Sequence, residues 1–270
     1  MMWRRRTPFD WTSVVLGICT FAALLSACAS GGNELPPGAS EADKFLFERG
    51  TEALKDRKWL LARENFTRLI DSYPQSALRA DAKLGVGDAQ LGENTAQSLI
   101  LASNEYREFL AFYPTSPRAD YAQFQLGMVH FNQMLSPDRD QTETKEAIKE
   151  FETFVERFPT SDLLPQARSR LREAKDRLGD SDLRVGITYL RINWPSGAIE
   201  RFKGLLEKDP GYTNRDALYY NLAEALLQSE KRAEALPYYE RLLQEFEKSD
   251  YFERARRRID ELKAKAGQGN

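Results

Sequence analysis

Residue types that could carry covalent chemistry are scarce in this chain of 270 residues, which contains two cysteines and one histidine. Cys28 ends an apolar stretch, and the two residues before it, Ser26 and Ala27, are small. A thiol is nucleophilic as its thiolate, so a cysteine in this setting can be alkylated by a lipid donor. Cys19 lies inside the same apolar stretch, so the chain from Ala29 onward has no thiol. A disulfide framework and a Cys/His zinc site are therefore excluded there.

The residues before Cys28 have the order of an export signal. Three arginines at positions 4–6 precede an apolar run over 11–25, which is shorter than the ~20 residues of a membrane-spanning helix. The sequence LSAC at 25–28 resembles a bacterial lipobox. The resemblance implies attachment of a diacylglyceryl group at Cys28, cleavage before it and acylation of the new amino terminus. The alternative is an ordinary cleavable signal in which the cysteine is incidental.

The residue after the cysteine bears on the destination of the protein. It is Ala29, whereas an aspartate there favours retention at the inner membrane in many proteobacteria. We therefore expect the protein to be carried to the periplasmic face of the outer membrane. Two acyl chains suffice to anchor it there stably. On this interpretation residues 1–27 are a signal peptide, and residues 28–40 are the lipidated cysteine and a flexible Gly/Pro-rich tether.

No constellation of residues points to catalysis. His130 lies in a predicted helix without a motif that supplies a nucleophile and an orienting acid, so we interpret it as a packed or surface residue. The acidic residues are spread along helix faces and the glycines occur singly, which gives neither an acid pair nor a phosphate-binding loop. A formal net charge of −2 does not favour a nucleic-acid partner. We predict a protein that is not an enzyme and uses no metal and no cofactor.

A repeated pattern runs through the chain from residue 41 onward. A small residue is followed by an aromatic residue four positions on, an apolar residue three further and a proline five further. The four sets are Ala62/Phe66/Leu69/Pro74, Ala102/Tyr106/Phe109/Pro114, Ala147/Phe151/Phe154/Pro159 and Ala198/Phe202/Leu205/Pro210, and Ala235/Tyr239/Leu242 repeats the pattern without the proline. Steps of four and three lie on one helix face, and proline ends a helix.

A second small residue marks the partner helix in each repeat. Gly50, Gly186 and Ala223 lie twelve positions before three of these alanines, which predicts a close helix crossing. The fold class that follows is all-α: a tetratricopeptide-like (TPR-like) α–α superhelix of about five helix–turn–helix repeats of ~34 residues, with a C-terminal capping helix.

The repeats predict the division of the body into parts. Repeats 1–3 occupy 41–160, repeats 4 and 5 with a long linking helix occupy 161–249, and a basic capping helix and tail occupy 250–270. The segment MLSPDRDQTETK at 134–145 is inserted in the third repeat. We interpret it as a solvated loop, with a partner contact as the alternative. The last helix closes the apolar face of the array, although its basic residues could instead contact lipid headgroups or an acidic partner.

A stack of helix pairs presents a concave groove lined by the first helix of each pair. Counting from the crossing residues gives a set of candidates for binding an extended peptide. The candidates are Lys44, Phe47, Thr51, Lys55, Leu84, Asp88, Leu91, Tyr121, Phe124, Met128 and Phe131. Aromatic and methionine side chains suit apolar residues of a bound peptide. The alternative is that half of these residues only pack against the next repeat.

Three repeats close with the related sequences YPQS (73–76), YPTS (113–116) and FPTS (158–161). Together with the LSAC motif, the short tether and the five repeats, they resemble the BamD family, the outer-membrane lipoproteins of the barrel-assembly (BAM) machinery. The resemblance implies that the amino-terminal repeats receive unfolded outer-membrane protein precursors. It also implies that the carboxy-terminal repeats dock the periplasmic domains of the barrel subunit BamA, alongside other BAM subunits.

A different role is open for a chain of this kind. It could be a periplasmic TPR lipoprotein that scaffolds cell-envelope, peptidoglycan or Tol-Pal factors. Relatives of the Tol-Pal coordinator carry similar repeats, but they usually have an amino-terminal coiled coil and no lipobox. Here the repeats begin soon after Cys28.

Overall fold

The computed structural model describes residues 41–267, with side chains described to residue 264. The predictions for the signal peptide, Cys28 and the tether fall outside these residues. Within them the regular structure consists of eleven α-helices and no strand. The helices are α1 (Ala42–Lys55), α2 (Trp59–Ser72), α3 (Arg79–Glu93), α4 (Ala96–Phe112), α5 (Ala119–Phe131), α6 (Thr142–Arg157), α7 (Leu164–Arg191), α8 (Pro195–Lys208), α9 (Arg215–Gln228), α10 (Arg232–Glu245) and α11 (Phe252–Gly267).

Each helix packs mainly against its neighbours in the chain, as expected for stacked helical hairpins. The helices form the pairs α1/α2, α3/α4, α5/α6, α7/α8 and α9/α10, and α11 packs on α10. The first helices also contact one another across repeats, α1 with α3, α5 with α7 and α7 with α9. They therefore form the inner layer of the stack. The predicted all-α, TPR-like fold is confirmed.

Glycine is required where helices cross, because an aromatic ring occupies the space of a side chain. In the first repeat the Phe66 ring lies between two helices, α1 and α3. A Cβ atom on Gly50 of α1 would lie 2.7 Å from this ring, and one on Gly85 of α3 would lie 2.5 Å from it. Both distances are shorter than real carbon contacts, so either substitution would displace the ring. The crossing predicted at Gly50 is confirmed.

The serine of the YPxS-type ending closes the first and the third repeat on themselves. The Ser76 hydroxyl donates to the Asp43 carboxylate at 2.6 Å, and Ser161 donates to Asp120 at the same distance. The Ser76 oxygen also accepts a hydrogen bond from the Leu78 amide at the start of the next helix. One side chain thus joins the end of a repeat to its own beginning and to its successor, because it both donates and accepts.

The predicted linking helix is α7, a single helix of 28 residues. Gly179 does not break it, because its missing side chain makes room for the Tyr212 ring, which would lie 2.6 Å from a Cβ atom. The first half of α7 packs on α6 and the second half pairs with α8. One continuous helix therefore serves two repeats.

The insert in the third repeat is a largely exposed loop that is closed by one buried side chain. The non-helical segment ends at Gln141, and the last residues of the insert already belong to α6. The Gln141 side chain is buried, and its Nε2 donates to the carbonyls of Ser136 and Arg139. The interpretation as a solvated loop is confirmed for Leu135, Ser136 and residues 138–140, which are exposed. Only Gln141 departs from it, because its buried amide satisfies backbone groups that water would otherwise satisfy.

The last helix, α11, closes the stack by burying Ala255 and Ile259 against the last repeat. Two of its arginines are engaged within the protein: Arg258 pairs with Glu224 at 2.8 Å, and Arg254 lies over the Tyr220 ring at 4.5 Å. The interpretation as a capping helix is therefore confirmed. Among the described residues no helix is both long and apolar enough to cross a membrane.

Candidate peptide-binding groove

Nine of the eleven predicted groove residues retain exposed surface on the inner helices. Lys44 and Lys55 are exposed, and the partly buried ones are Phe47, Thr51, Asp88, Leu91, Tyr121, Met128 and Phe131. They lie on α1, α3 and α5, the first helices of repeats 1 to 3. We call the surface formed by these nine residues the amino-terminal groove.

Two predicted residues do not belong to this groove. Leu84 is only 2% exposed, and Phe124 is 6% exposed. Leu84 packs in the apolar cluster of the second repeat, and Phe124 contacts the rings of Phe151 and Phe154 with centroids 5.8 and 6.0 Å apart. We remove both from the candidate set, because side chains enclosed by neighbouring repeats cannot contact a peptide in this conformation.

The aromatic members of the groove are held in place from behind. Phe47 packs edge-on against Phe66 with a centroid separation of 5.6 Å. Phe131 packs against Phe151 at 6.2 Å, and the Arg170 guanidinium lies 5.0 Å from its ring centroid. These rings offer one side to solvent while the other rests on the core. Half-embedded, rigid rings of this kind suit apolar side chains of a partner, since little conformational entropy is lost on binding.

A polar cluster around Asp88 divides the apolar surface of the groove. The Tyr106 hydroxyl donates to the Asp88 carboxylate at 2.7 Å, and Gln125 donates to the Tyr121 hydroxyl at 2.8 Å. Burial raises the pKa of Asp88, although hydrogen bonds from Tyr106 and Tyr121 and the nearby Arg118 oppose this. Burial, followed by the charge of Asp88, raises the pKa of Tyr121. The cluster therefore places a desolvated carboxylate in the middle of the groove.

His130 is a packed residue that joins two repeats. Its Nδ1 lies 2.7 Å from a Glu143 carboxylate oxygen, and its Nε2 lies 3.3 Å from Arg107. Because a guanidinium can only donate, Nε2 is the acceptor and the proton sits on Nδ1. The histidine is buried and has an acid partner, but neither contact supplies a nucleophile. Among the described residues no group of three His, Cys, Asp or Glu could hold a metal ion.

The structure adds a row of arginines on α7 that was missed in the sequence. We call it the arginine stripe: Arg170, Arg177, Arg184 and Arg191. A spacing of seven residues returns to nearly the same helix face, so the four residues share one side of α7. The constant spacing is the signal that could have revealed it.

The end of α5 and the insert of the third repeat run along the first three members of the arginine stripe. Phe131 lies under Arg170, and the Leu135 carbonyl accepts from Arg177 at 2.9 Å. Further on, Asp138 lies 3.9 Å from Arg184, and both side chains remain mostly exposed. The fourth member, Arg191, is exposed. The insert therefore shows how a non-helical segment with an acidic side chain can lie along this face.

A cavity of about 540 Å³ lies at the end of the arginine stripe. Its lining combines Leu183 and Ile187 with Arg184 and Arg191, and Asp180 lies at its side. The Asp180 carboxylate is already occupied, since it accepts from Tyr212 and Asn214. The cavity therefore offers an apolar floor between two arginines.

A family model described as YfiO, an outer membrane lipoprotein, matches residues 39–234. The outer membrane protein assembly factor BamD of Caulobacter vibrioides is 24% identical over 161 residues, which cover 59% of this chain and 52% of that protein. BamD of Neisseria gonorrhoeae is 25% identical over 160 residues, covering 54% and 59%. The chain thus spans between half and three fifths of the length of these relatives.

Two solved structures are weakly similar to this chain. The TPR2AB domain of yeast Sti1, in its complex with pHSP90, has a TM-score of 0.44 at 14% identity, with 84% of each chain covered. The MamA protein has a TM-score of 0.33 at 16% identity, with 76% of this chain and 92% of that chain covered.

Proposed function

Because the chain belongs to the YfiO family of outer membrane lipoproteins, we propose that it is a subunit of the BAM machinery, a periplasmic scaffold held to the outer membrane by lipid on Cys28. The single observation that carries the proposal is the extent of the family match. Residues 39–234 include the amino-terminal groove, the insert and the arginine stripe. The similarity to BamD of two organisms supports the same role.

The amino-terminal groove binds unfolded barrel precursors in this proposal. A strand from such a precursor carries apolar side chains at alternate positions, and its backbone groups are unpaired before it joins a sheet. Phe47, Leu91, Met128 and Phe131 offer partly exposed apolar surface to such a strand. Asp88 lies among them as an acceptor for backbone amide groups.

The carboxy-terminal repeats dock BamA in this proposal. The arginine stripe and its cavity suit a segment that carries an acidic side chain together with apolar ones, and the insert already places Asp138 beside Arg184. Arg184 and Arg191 would pair with the partner's carboxylates, and Leu183 and Ile187 would receive its apolar side chains.

The scaffold role is tested by isolating the protein from detergent-solubilised envelope. We expect BamA to be recovered with the full-length, acylated protein, and recovery to fall when Arg184 and Arg191 are both changed to Glu. A matched control changes Arg232 to Glu, an exposed arginine at the start of α10. Recovery of peptidoglycan or Tol-Pal factors without any barrel subunit would overturn the proposal in favour of the alternative scaffold.

Precursor binding is tested separately by crosslinking. A photoreactive residue at Met128 in the groove is compared with one at Thr67, an exposed residue on the outer helix α2. We expect adducts with an unfolded barrel precursor at position 128 and only background at position 67. Equal adducts at both positions would contradict a role for the groove.

A further inference from the structure

Exposed large apolar residues are concentrated at one edge of the helical stack. We define the hairpin edge as the edge formed by the turns within each helix pair, at 56–58, 94–95, 132–141, 192–194 and 229–231. Seven large apolar side chains are well exposed among the described residues. Six lie in these turns or within the first two turns of the helix that follows: Leu60, Ile100, Leu101, Leu135, Ile192 and Trp194. Only Phe112 lies at the opposite edge.

In the first two repeats the exposed apolar side chains lie at equivalent positions. Leu60 is 57% exposed, and Ile100, at the equivalent position of the next repeat, is 62% exposed. Leu101 adjoins Ile100, and Trp59 adjoins Leu60 and packs over Gly92 of α3. Solvent-exposed apolar side chains repeated at equivalent positions mark a surface that is covered in use.

Basic residues surround the apolar side chains in the first repeat. Lys55, Arg57 and Lys58 are all exposed and immediately precede Trp59 and Leu60. A single acid, Asp56, lies among them and pairs with Lys58 at 2.8 Å. Such a combination of lysine, arginine, tryptophan and leucine is typical of surfaces that lie in the headgroup region of a bilayer.

The opposite edge has a different character. The first helices begin there with aspartates, among them Asp43, Asp120 and Asp216. Each accepts a hydrogen bond from a serine at the end of its own repeat. Because Arg79, Arg118 and Arg215 lie beside these acids, the opposite edge carries mixed charge. An anionic lipid surface therefore attracts the basic hairpin edge of the first repeat more strongly than the opposite edge.

The chain length allows this orientation for a protein anchored at Cys28. The chain enters α1 at the opposite edge, and a helix of 14 residues spans about 21 Å to the hairpin edge. The 13 residue steps from Cys28 to Glu41 span at most about 45 Å. The tether can therefore pass the width of the first repeat and still leave the acyl chains in the same bilayer.

We propose that the hairpin edge of repeats 1 and 2 rests on a phospholipid surface, with Leu60, Ile100 and Leu101 entering the headgroup region and Lys55, Arg57 and Lys58 binding lipid phosphates. The proposal rests on the proposed function, because the acyl anchor makes the contact intramolecular. A weak contact then suffices, since tethering raises its effective concentration to about the millimolar range. The contact sets the orientation of the groove relative to the membrane.

The fluorescence of Trp59 reports whether the hairpin edge contacts lipid. The chain has four tryptophans, and two of them, Trp3 and Trp11, lie in the predicted signal peptide. In the mature protein the change Trp194→Phe therefore leaves Trp59 alone. The acylated protein is reconstituted into vesicles of phosphatidylethanolamine and phosphatidylglycerol whose acyl chains carry bromine, which quenches tryptophan fluorescence at short range. We expect strong quenching of Trp59, reduced at least about threefold by the triple change Leu60→Ser, Ile100→Ser and Leu101→Ser.

Two further variants define the contact. The pair Lys55→Glu and Arg57→Glu should lower quenching in these vesicles, and high salt should reproduce that loss in the unchanged protein. The matched control Phe112→Ser, at the opposite edge, should leave quenching unchanged. Far-ultraviolet circular dichroism verifies that each variant is folded.

The two hypotheses fail separately in this experiment. A mature protein without acyl groups at Cys28, shown by its mass, overturns the anchor in the proposed function. An acylated protein whose Trp59 is not quenched, or is quenched equally in the triple-serine variant, overturns the lipid contact. Absence of quenching in these pure lipid vesicles is also the result expected if a protein partner covers the edge.

Discussion

Repeats 2 and 5 differ from repeats 1, 3 and 4 in the residues at their centres. In each repeat the ring on the second helix has a counterpart in the residue that follows the small crossing residue of the first helix, and in repeats 2 and 5 the two are hydrogen-bonded. The pairs are Phe66/Thr51, Phe151/Met128 and Phe202/Ile187 in repeats 1, 3 and 4, and Tyr106/Asp88 and Tyr239/Glu224 in repeats 2 and 5. A phenylalanine faces an uncharged residue, whereas a tyrosine faces a carboxylate. A buried hydroxyl needs an acceptor, and the repeat supplies it from one fixed position.

The two polar centres are themselves unlike. The Glu224 carboxylate accepts from Tyr239 at 2.6 Å and from Arg258 of α11 at 2.8 and 2.9 Å. Burial raises the pKa of Glu224, but the hydrogen bonds from Arg258 and Tyr239 outweigh it and lower the pKa overall. For Asp88 burial prevails and the pKa rises. The equivalent position of the repeat therefore holds a stabilised carboxylate, Glu224, under the capping helix. In the candidate groove it holds a desolvated carboxylate, Asp88.

The largest effect is expected from placing a tyrosine in an apolar centre. Phe151→Tyr buries a hydroxyl near Met128, which offers only a weak thioether acceptor, so we expect a loss of about 1–3 kcal/mol in the free energy of unfolding. Phe66→Tyr should cost less, because Thr51 has a hydroxyl that can accept. Urea denaturation measures both. Adding Met128→Asp to Phe151→Tyr should recover part of the loss, and no recovery would contradict the pairing rule.

Removing the carboxylate charge should change the free energy of unfolding at pH 7 differently in the two polar centres. Glu224→Gln leaves Arg258 without its charged partner, and we expect a loss of about 1–2 kcal/mol, reduced from the value for a buried pair because the arginine is partly exposed. Asp88→Asn should be neutral or slightly stabilising, since the amide oxygen still accepts from Tyr106 and burial no longer opposes a charge. Urea denaturation measures the free energy of unfolding of both variants. Equal losses would show that the two carboxylates do not differ in their contribution to stability.

The pH dependence should have opposite signs at the two sites. The folded pKa of Glu224 lies below its ordinary value of 4.5, so its ionised form stabilises the protein above that pH. This contribution is lost as the pH falls through the folded pKa. The folded pKa of Asp88 lies above its ordinary value of 3.8, so stability falls as the pH rises from 3.8 through the folded pKa.

Urea denaturation between about pH 3 and pH 7 checks these signs. The advantage of the unchanged protein over the Glu224→Gln variant should shrink toward acid. The advantage of the Asp88→Asn variant over the unchanged protein should grow from acid toward neutrality. Parallel curves for the two variants would show that the two centres titrate alike.

The fold was predictable because its determinants recur along the chain. Small residues, rings and prolines at fixed spacing define the helices and their crossings, as Gly50 and Phe66 illustrate. Burial on the inner face was less predictable. Leu84 and Phe124 occupy helix positions like those of exposed neighbours, and neighbouring repeats enclose them. Spacing alone places a residue on a helix face, but the depth of burial depends on the tilt of the next helix pair.

The last and smallest effect comes from giving α5, which follows the second repeat, the arginine that α11 carries after the fifth repeat. Ala122 of α5 and Ala255 of α11 are both fully buried, and three residues later α5 has Gln125 where α11 has Arg258. Gln125→Arg should bring a guanidinium to Asp88 and lower the pKa of that carboxyl. The gain in stability should stay below about 1 kcal/mol, because the hydrogen bond from Gln125 to Tyr121 is lost and the new pair is partly exposed.

Carbon-13 NMR of the Asp88 carboxyl reports the pKa directly in the Gln125→Arg variant, with Gln125→Met as an uncharged control of similar size. We expect a lower pKa of Asp88 in the arginine variant only, because the methionine removes a hydrogen-bond donor without adding charge. An unchanged pKa of Asp88 in the arginine variant would show that the residue type at position 125 does not cause the difference in pKa between Asp88 and Glu224. The position of α11 over Glu224 would then be the cause, and the two centres would differ by helix placement, not by sequence.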